Sequence, residues 1–267
     1  MTDGDYVLGT RKDEVGRLGL QHRVWRPLVL DAWSRAGIGS GQTIVDVGAG
    51  PGFATLDLAA IAGPQGKVIA FERSPQFLAE LRHRAADAGL ANIDTVERDV
   101  SQGDLGEDFA DSAWCRWLLS FVADPRRTVA AIARALKPGG VAVFHEYGDY
   151  GAWRMMPPNP VVDRFRSLVM QSWRDSGGEP DIALFLPGWL AENGLETIEV
   201  RPLIHIVRRD DMIWQWPAAF MATGAKRLHE LGYVDADEAA RMAVAMDDDP
   251  DAWMVTPLVT EIIARKL

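Results

Sequence analysis

An α/β fold, with a mainly parallel sheet covered by helices on both faces, is what the sequence predicts, and three observations predict it. Short apolar strands alternate with alanine- and leucine-rich stretches between residues 44 and 146, the alternation that builds parallel sheets. The strand Ile44-Val45-Asp46-Val47 is a near-continuous apolar run, as expected of a strand buried on both faces. It leads straight into the turn Gly48-Ala49-Gly50-Pro51-Gly52 and then an apolar stretch from Phe53 to Ala62. Glycines there let the chain turn sharply and let a ligand approach without a Cβ in the way. The helix that follows points unpaired N–H groups at whatever occupies the turn.

With 267 residues the chain suits one large α/β domain with an elaboration better than two small domains. The expected division is a helical cover over 1–40, a ligand-binding core over 41–147, and lid inserts at about 148–178 and 208–251. A net charge of −10 offers no attraction to phosphate backbones, which argues against nucleic acid as a partner. Met1 to Asp5 carries neither a basic region nor an apolar core, and no run of about 18 apolar residues occurs. A cytoplasmic protein without a membrane partner is therefore expected. Cys115 is the single cysteine, which excludes an internal disulfide and a cysteine-rich metal site.

Asp13 to Gly37 reads as a helix, broken or restarted near Pro27, with Leu18, Trp25, Leu28 and Ala32 at near-helical spacing. His22 lies on it, and Tyr6 precedes it in a polar lead-in. Lys67 to Glu72 is a second apolar strand ending in an acid 20 residues beyond Gly52. An isolated Glu is ordinarily a solvated surface residue. At a strand's C-terminal end and this interval, a carboxylate suits ribose hydroxyls because it offers several acceptor sites and no donor. Ser74-Pro75 starts the next helix as N-cap and first turn, with Leu78, Leu81 and Ala85 on its buried face and Gly89 at its end. Asn92 to Val96 is the third strand, and Phe109 to Trp117 the fourth. Leu118 to Val122 is a short helix, and Asp124-Pro125 caps a longer one bearing Val129, Ile132 and Leu136 on its apolar face. Lys137-Pro138-Gly139-Gly140 turns into the fifth strand, Val141 to Tyr147. Asn159-Pro160 then opens an amphipathic helix ending at Gly177-Gly178, Leu186 to Gly194 is helical, and Leu195 to Val207 is the sixth strand. Asp211 to Met246 reads as two helices, the first carrying Trp214 and Trp216, and Leu258 to Lys266 is the seventh strand. Of the ten tryptophans, those at 153, 173, 189, 214 and 216 fall in the C-terminal half and hint at an aromatic-lined pocket.

Glycine spacing separates the candidate ligands. A dinucleotide fingerprint wants glycines at the first, third and sixth places, here Gly48, Gly50 and Phe53. Phenylalanine at the third of these argues against NAD. The glycines actually fall at the first, third and fifth places, behind Val45-Asp46-Val47. That turn resembles motif I of the class I S-adenosylmethionine (SAM) dependent methyltransferases. The stretch from Ala123 to Glu146, with Leu136-Lys137-Pro138-Gly139-Gly140 before an apolar strand, is similar to small-molecule methyltransferases of the ubiquinone/menaquinone group. The resemblance covers roughly Gly41 to Glu146. It implies a Rossmann-like seven-stranded sheet of order 3-2-1-4-5-7-6, with strand seven antiparallel beside strand five, and SAM as cofactor. It places Asp46, Gly48, Ala49, Gly50 and Gly52 in the cofactor turn, Glu72 at the ribose, Arg73 beside it in the cofactor site, and Asp99 with Val100 at the adenine. Cys115 and Arg116 line the same pocket, and Tyr6 covers it.

A SAM methyl group is already electrophilic, so positioning alone, worth effective molarities of about 10⁵ M or more, makes no catalytic side chain obligatory. A base is needed only where the nucleophile holds its proton well above ambient pH. His145 and Glu146, after strand five, are the candidates for it. Tyr6, His22, Trp117, Tyr147, Trp214 and Trp216 are the candidate substrate-pocket residues. Cys115 lacks the preceding proline of the cysteine-dependent RNA cytosine enzymes. Met156-Pro157-Pro158-Asn159-Pro160 follows strand five and no aromatic comes after its two prolines, so it is not the loop of the amino-methylating nucleic-acid enzymes. The acidic stretch from Asp247 to Asp251 reads as a solvated turn, with no metal expected. The reading is methyl transfer to a small, partly apolar or aromatic metabolite, and a homodimer is compatible with it. Two alternatives stay open: a SAM-binding protein without transfer activity, and a nicotinamide-dependent oxidoreductase, which Phe53 disfavours.

Overall fold

The computed structural model describes residues 12–267; Tyr6 lies outside the described residues. The first helix, α1 (Lys12–Arg35), runs unbroken through Pro27, contrary to the expected break. Pro27 sits on an exposed face, whereas Trp25, Val29, Ala32 and Trp33 are almost completely buried on either side of it. Burying large apolar side chains contributes about 1.5–3 kcal/mol each. Together they outweigh the roughly 3 kcal/mol cost of a proline inside the helix. At the helix end Arg35 pairs with Glu199 and Glu261.

There follow β1 (Thr43–Val47), α2 (Phe53–Ala62), β2 (Lys67–Glu72), α3 (Pro75–Asp87), β3 (Ile93–Glu97), β4 (Ala110–Arg116), α4 (Pro125–Ala135) and β5 (Leu136–Asp149). The caps read from sequence are made: Ser74 Oγ accepts from the Phe77 amide at 3.3 Å, and Asp124 Oδ1 from the Arg127 amide at 2.9 Å. Leu136 belongs to β5 and not to the face of α4. Beyond lie β6 (Arg154–Met156), α5 (Pro160–Asp175), α6 (Leu186–Glu192), β7 (Leu195–Leu203), β8 (Ile206–Arg208), α7 (Gln215–Glu230), α8 (Ala236–Val244), β9 (Trp253–Val255) and β10 (Leu258–Lys266).

The large sheet has the order β3-β2-β1-β4-β5-β10-β7. With β7 counted as the sixth core strand and β10 as the seventh, this is the order that the resemblance implies. β10 is antiparallel to both neighbours, setting Ile262 opposite Phe144 on one side and Val200 on the other. The stretch read as one sixth strand is broken at Ile204-His205, and its second part, β8, joins a separate three-stranded sheet of order β6-β9-β8. Buried Thr256 holds the break: its Oγ1 accepts from the His205 amide at 3.1 Å, and its own amide donates to the His205 carbonyl at 2.9 Å. On one face of the large sheet, α1, α5, α7 and α8 share an apolar cluster that includes Trp25, Trp117, Phe165, Trp173 and Trp216. On the other, Val129, Ile132 and Leu190 of α4 and α6 pack against Val45, Val47 and Phe144.

Candidate active site

A cavity of about 420 Å³ lies at the carboxyl ends of β1, β2 and β4, where open α/β sheets bind ligands. The amides of Gly48 and Ala49 both donate to the Phe71 carbonyl, at 2.9 and 3.0 Å. The chain then reverses through Gly48, Gly50 and Gly52 at φ +75°, +56° and +86°, a region that only glycine enters freely. The N-terminus of α2 has no side-chain cap, and Pro51, Phe53 and Ala54 form part of the cavity wall. Glu72 ties this turn to the start of α3: its Oε2 accepts from the Gly50 amide at 2.9 Å and its Oε1 from the Ser74 amide at 2.8 Å. Burial raises the Glu72 carboxyl above its ordinary range, against the pull of those amides. Asp99 stands farther along the wall with Val100 and Ser101. Its Oδ1 accepts from the Ser101 amide at 3.0 Å and hydroxyl at 2.7 Å. Burial alone would raise this carboxyl, but those bonds prevail and hold it below its usual value.

Asp46 and Arg116 make another part of the wall. Burial pushes the Asp46 carboxyl up to about 6, opposed by the Thr55 hydroxyl, which donates to it at 2.6 Å, and by the nearby Arg116 charge. Burial likewise brings the Arg116 guanidinium down to about 10, so it stays charged at neutral pH. One guanidinium nitrogen of Arg116, Nη2, lies 3.3 Å from Nδ1 of His22. The other ring nitrogen of His22 lies 3.1 Å from Asp57 Oδ2, which also accepts from Arg26. For Arg116 to donate, His22 must be neutral with its proton on Nε2, and burial followed by the Arg116 charge lowers its pKa accordingly. Nη1 of Arg116 is buried with no hydrogen-bond partner among the described residues. It is the open donor of this wall.

The two-residue period of a strand sorts the remaining candidates. Trp114 and Arg116 reach the cavity, whereas Cys115 between them points to the opposite sheet face, into the cluster with Val47 and Phe144. Cys115 is thus not the pocket residue it was expected to be. Its thiol is raised by burial and by the nearby Glu146 charge, which is the reverse of a reactive cysteine. His145 and Glu146 are fully buried, and neither lines the cavity. The His145 ring packs edge-on against Trp114, with its Nε2 2.9 Å from Glu261 Oε2. Glu146 faces the Cys115 side, where burial pushes its carboxyl up to about 7. Gly52 does not border the cavity; its Cα packs on Leu81. Of the expected cofactor residues, Asp46, Gly48, Ala49, Gly50, Glu72, Arg73, Asp99, Val100 and Arg116 do line it.

Trp117, just after β4, has φ +47°, a left-handed conformation costing a bulky residue about 1–3 kcal/mol unless its surroundings enforce it. The Trp117 amide donates to the His145 carbonyl at 2.9 Å, and its ring stacks on Trp216 (5.5 Å, 15°) and Tyr147 (5.8 Å, 20°). These rings, with Tyr150, Trp173 and Phe220, wall a second chamber that shares Gln21, Trp117 and Phe121 with the first. That chamber holds only about 20 Å³. Trp214 is buried but outside it, because residues two apart on a helix turn to different faces. His22 borders neither cavity and acts as a partner of Arg116. Sequence reasoning missed Gln21 and Phe121. Gln21 had a signal: a polar residue one turn before Trp25 on the apolar stripe of α1. Among the described residues no cluster of three His, Cys, Asp or Glu could hold a metal, and no helix is long and apolar enough to cross a membrane.

Residues 45–144 match the family described as a methyltransferase domain. Over 144 residues the chain is 25% identical to the ubiquinone/menaquinone biosynthesis C-methyltransferase UbiE of Hahella chejuensis, covering 54% of this chain and 54% of that one. The chain thus spans about half the length of the curated relatives it matches. In fold it is similar to the geranyl diphosphate C-methyltransferase of Streptomyces coelicolor, with TM-score 0.57 and 15% identity over 92% of this chain and 82% of that one. It is also similar to a phosphoethanolamine N-methyltransferase of Haemonchus contortus, with TM-score 0.60 and 16% identity over 96% and 57% of the respective chains. Both of those structures contain S-adenosylhomocysteine. The sheet order, the glycine turn ahead of Glu72, and the family match across β1 to β5 together make residues 45–144 of this chain similar to the methyltransferase domain of the class I S-adenosylmethionine-dependent enzymes.

Proposed function

We propose that the protein transfers a methyl group from SAM to a small, partly apolar or aromatic metabolite, mainly by positioning. The observation that carries the reading is the cavity with an acid at the end of β2 and a buried, open guanidinium donor at the end of β4, adjoining an aromatic chamber at Trp117. Strand β1 lies between β2 and β4, so two interstrand spacings, about 10 Å, separate those ends. That distance suits a molecule with a ribose at one end and an amino-acid carboxylate at the other. Glu72 would accept from the ribose hydroxyls, Asp99 and the Val100 backbone would meet the adenine, and Arg116 Nη1 would donate to the carboxylate. When bound, SAM supplies an electrophilic methyl group open to in-line attack. The chain's part is to align the acceptor against it and exclude water. Trp117, at the boundary of the two chambers, is placed for both tasks. The second chamber is smaller than a metabolite, so acceptor entry requires Trp216 and Phe220 of α7 to move. Its small size also favours the rival reading, a cofactor-binding protein without transfer. Methyl transfer from labelled SAM into any aromatic or apolar acceptor of a screening panel separates the two.

Calorimetry tests the cofactor reading. S-adenosylhomocysteine is expected to bind the wild-type chain, and Arg116→Met to weaken it about 10- to 100-fold, the worth of one charge-assisted hydrogen bond in a buried site. 5′-Methylthioadenosine, which lacks the amino-acid tail, is expected to bind both proteins equally. Absence of any S-adenosylhomocysteine binding would overturn the proposal. An equal loss for both ligands would remove the carboxylate role from Arg116.

A further inference from the structure

Glu146 stands apart from the reacting groups yet is tied closely to the wall that faces them. Its carboxylate lies on the sheet face opposite the cavity, beside the Cys115 thiol at 3.9 Å. Its Oε1 accepts from two consecutive backbone amides, Leu118 and Leu119, each at 2.9 Å. Its Oε2 is buried with no partner at hydrogen-bond geometry among the described residues, and the next amide of the same turn, Ser120, also acts on the carboxylate. The two amides belong to the turn after β4, in which Trp117 takes its left-handed conformation. Trp117 and Leu118 both line the cofactor cavity. Leu118 also fills the place of the missing side chain at Gly48: a Cβ there would lie 2.8 Å from Leu118 Cδ1. One carboxylate oxygen thus reaches through the sheet edge to hold a strained turn, and that turn closes over the glycine loop.

We propose that Glu146 is a positioning residue and not a base: one carboxylate oxygen, reached by the Leu118 and Leu119 amides, sets the turn that places Trp117 and Leu118 at the cofactor cavity. The inference rests on the cofactor reading given under the proposed function, and it concerns reach, not charge. A carboxylate and a carboxamide of the same length present the same acceptor oxygen to two amides. A side chain one methylene shorter keeps the charge and loses the reach.

The full chain labelled with 5-fluorotryptophan, with the Trp117 signal assigned through Trp117→Phe, gives a direct readout by fluorine NMR. Calorimetry with S-adenosylhomocysteine gives the functional one. Glu146→Gln is expected to leave the Trp117 resonance in place and the affinity within about twofold of wild type. Glu146→Asp is expected to shift or broaden that resonance and to weaken binding about tenfold. If the Gln variant loses as much as the Asp variant, the turn needs the charge and the proposal fails. It fails equally if both variants match wild type. Should the Asp variant not fold, the Gln result still decides: retained resonance and affinity support the proposal, and loss of either overturns it. Wild-type protein that binds no S-adenosylhomocysteine would sink the cofactor reading instead, a separate outcome.

Discussion

Replacing Glu72 with alanine is expected to weaken S-adenosylhomocysteine binding by roughly 100-fold while leaving thermal stability within about 2 °C of wild type. The affinity loss follows from removing a charged acceptor that would serve two ribose hydroxyls, each such bond contributing about 1.5 kcal/mol or more. The near-neutral stability follows from the unliganded state. Burial raises the pKa of this carboxyl, so its ionised form is unfavourable in the folded protein. Between its unfolded and its raised folded pKa, the folded chain holds a proton there that the unfolded chain has lost, and above both the group is charged in either state. The group's contribution to stability therefore declines as pH rises through its folded pKa. Alanine removes that cost, which offsets the lost bonds to the Gly50 and Ser74 amides. Calorimetry and a thermal melt measure the two effects side by side, and unchanged affinity would contradict the ribose assignment. A large fall in melting temperature would instead give Glu72 a chiefly structural role.

Gly52→Ala is expected to be the most damaging single-methyl change in the cofactor turn. A Cβ at this position would lie 2.1 Å from Leu81 Cδ1 and 3.0 Å from Leu81 Cβ. Leu81 is completely buried on α3 and has nowhere to move. The backbone at φ +86° adds about 1–3 kcal/mol of strain for any L residue, and overpacking adds about 1–3 kcal/mol more. A loss of roughly 4 kcal/mol corresponds to about 8–16 °C in melting temperature for a domain of this size. Gly16→Ala is the control. It lies on an exposed face of α1 with nothing within 4 Å of the new methyl, and is expected to stabilise by up to about 1 kcal/mol. A Gly52→Ala melt indistinguishable from wild type would refute this account of the turn.

Much of the fold was legible because its central strands are short apolar runs bounded by glycine, proline and capping residues. Ser74, Asp124 and Asn159 all cap the helices expected of them. Glu72 and Asp99 were readable as wall residues because each stands at a strand's carboxyl end, a place set by topology and not by packing. Side-chain facing was not legible in β4 and β5. A strand buried on both faces has no polar alternation, and nothing in Trp114-Cys115-Arg116 says that the outer two meet the cavity, nor in Phe144-His145-Glu146 that none does. Cys115 was misplaced for that reason. The β6-β9-β8 sheet escaped because three-residue strands are shorter than the run of four or more residues over which alternation can be recognised. The helix through Pro27 escaped because its support comes from tertiary neighbours.

The place of β10 has a consequence for how the protein is made. This strand follows β7 in the chain, yet in the sheet it is wedged between β5 and β7. Until synthesis has passed Lys266, β5 and β7 have no common neighbour, and a nascent chain carries an unfilled slot flanked by Val143, Phe144 and Val200. Contacts between residues so far apart in sequence form late, and an open strand edge is a template for pairing with other chains. Closure of this side of the sheet therefore waits on β10, and until that strand is made the edges of β5 and β7 are open to pairing with other chains.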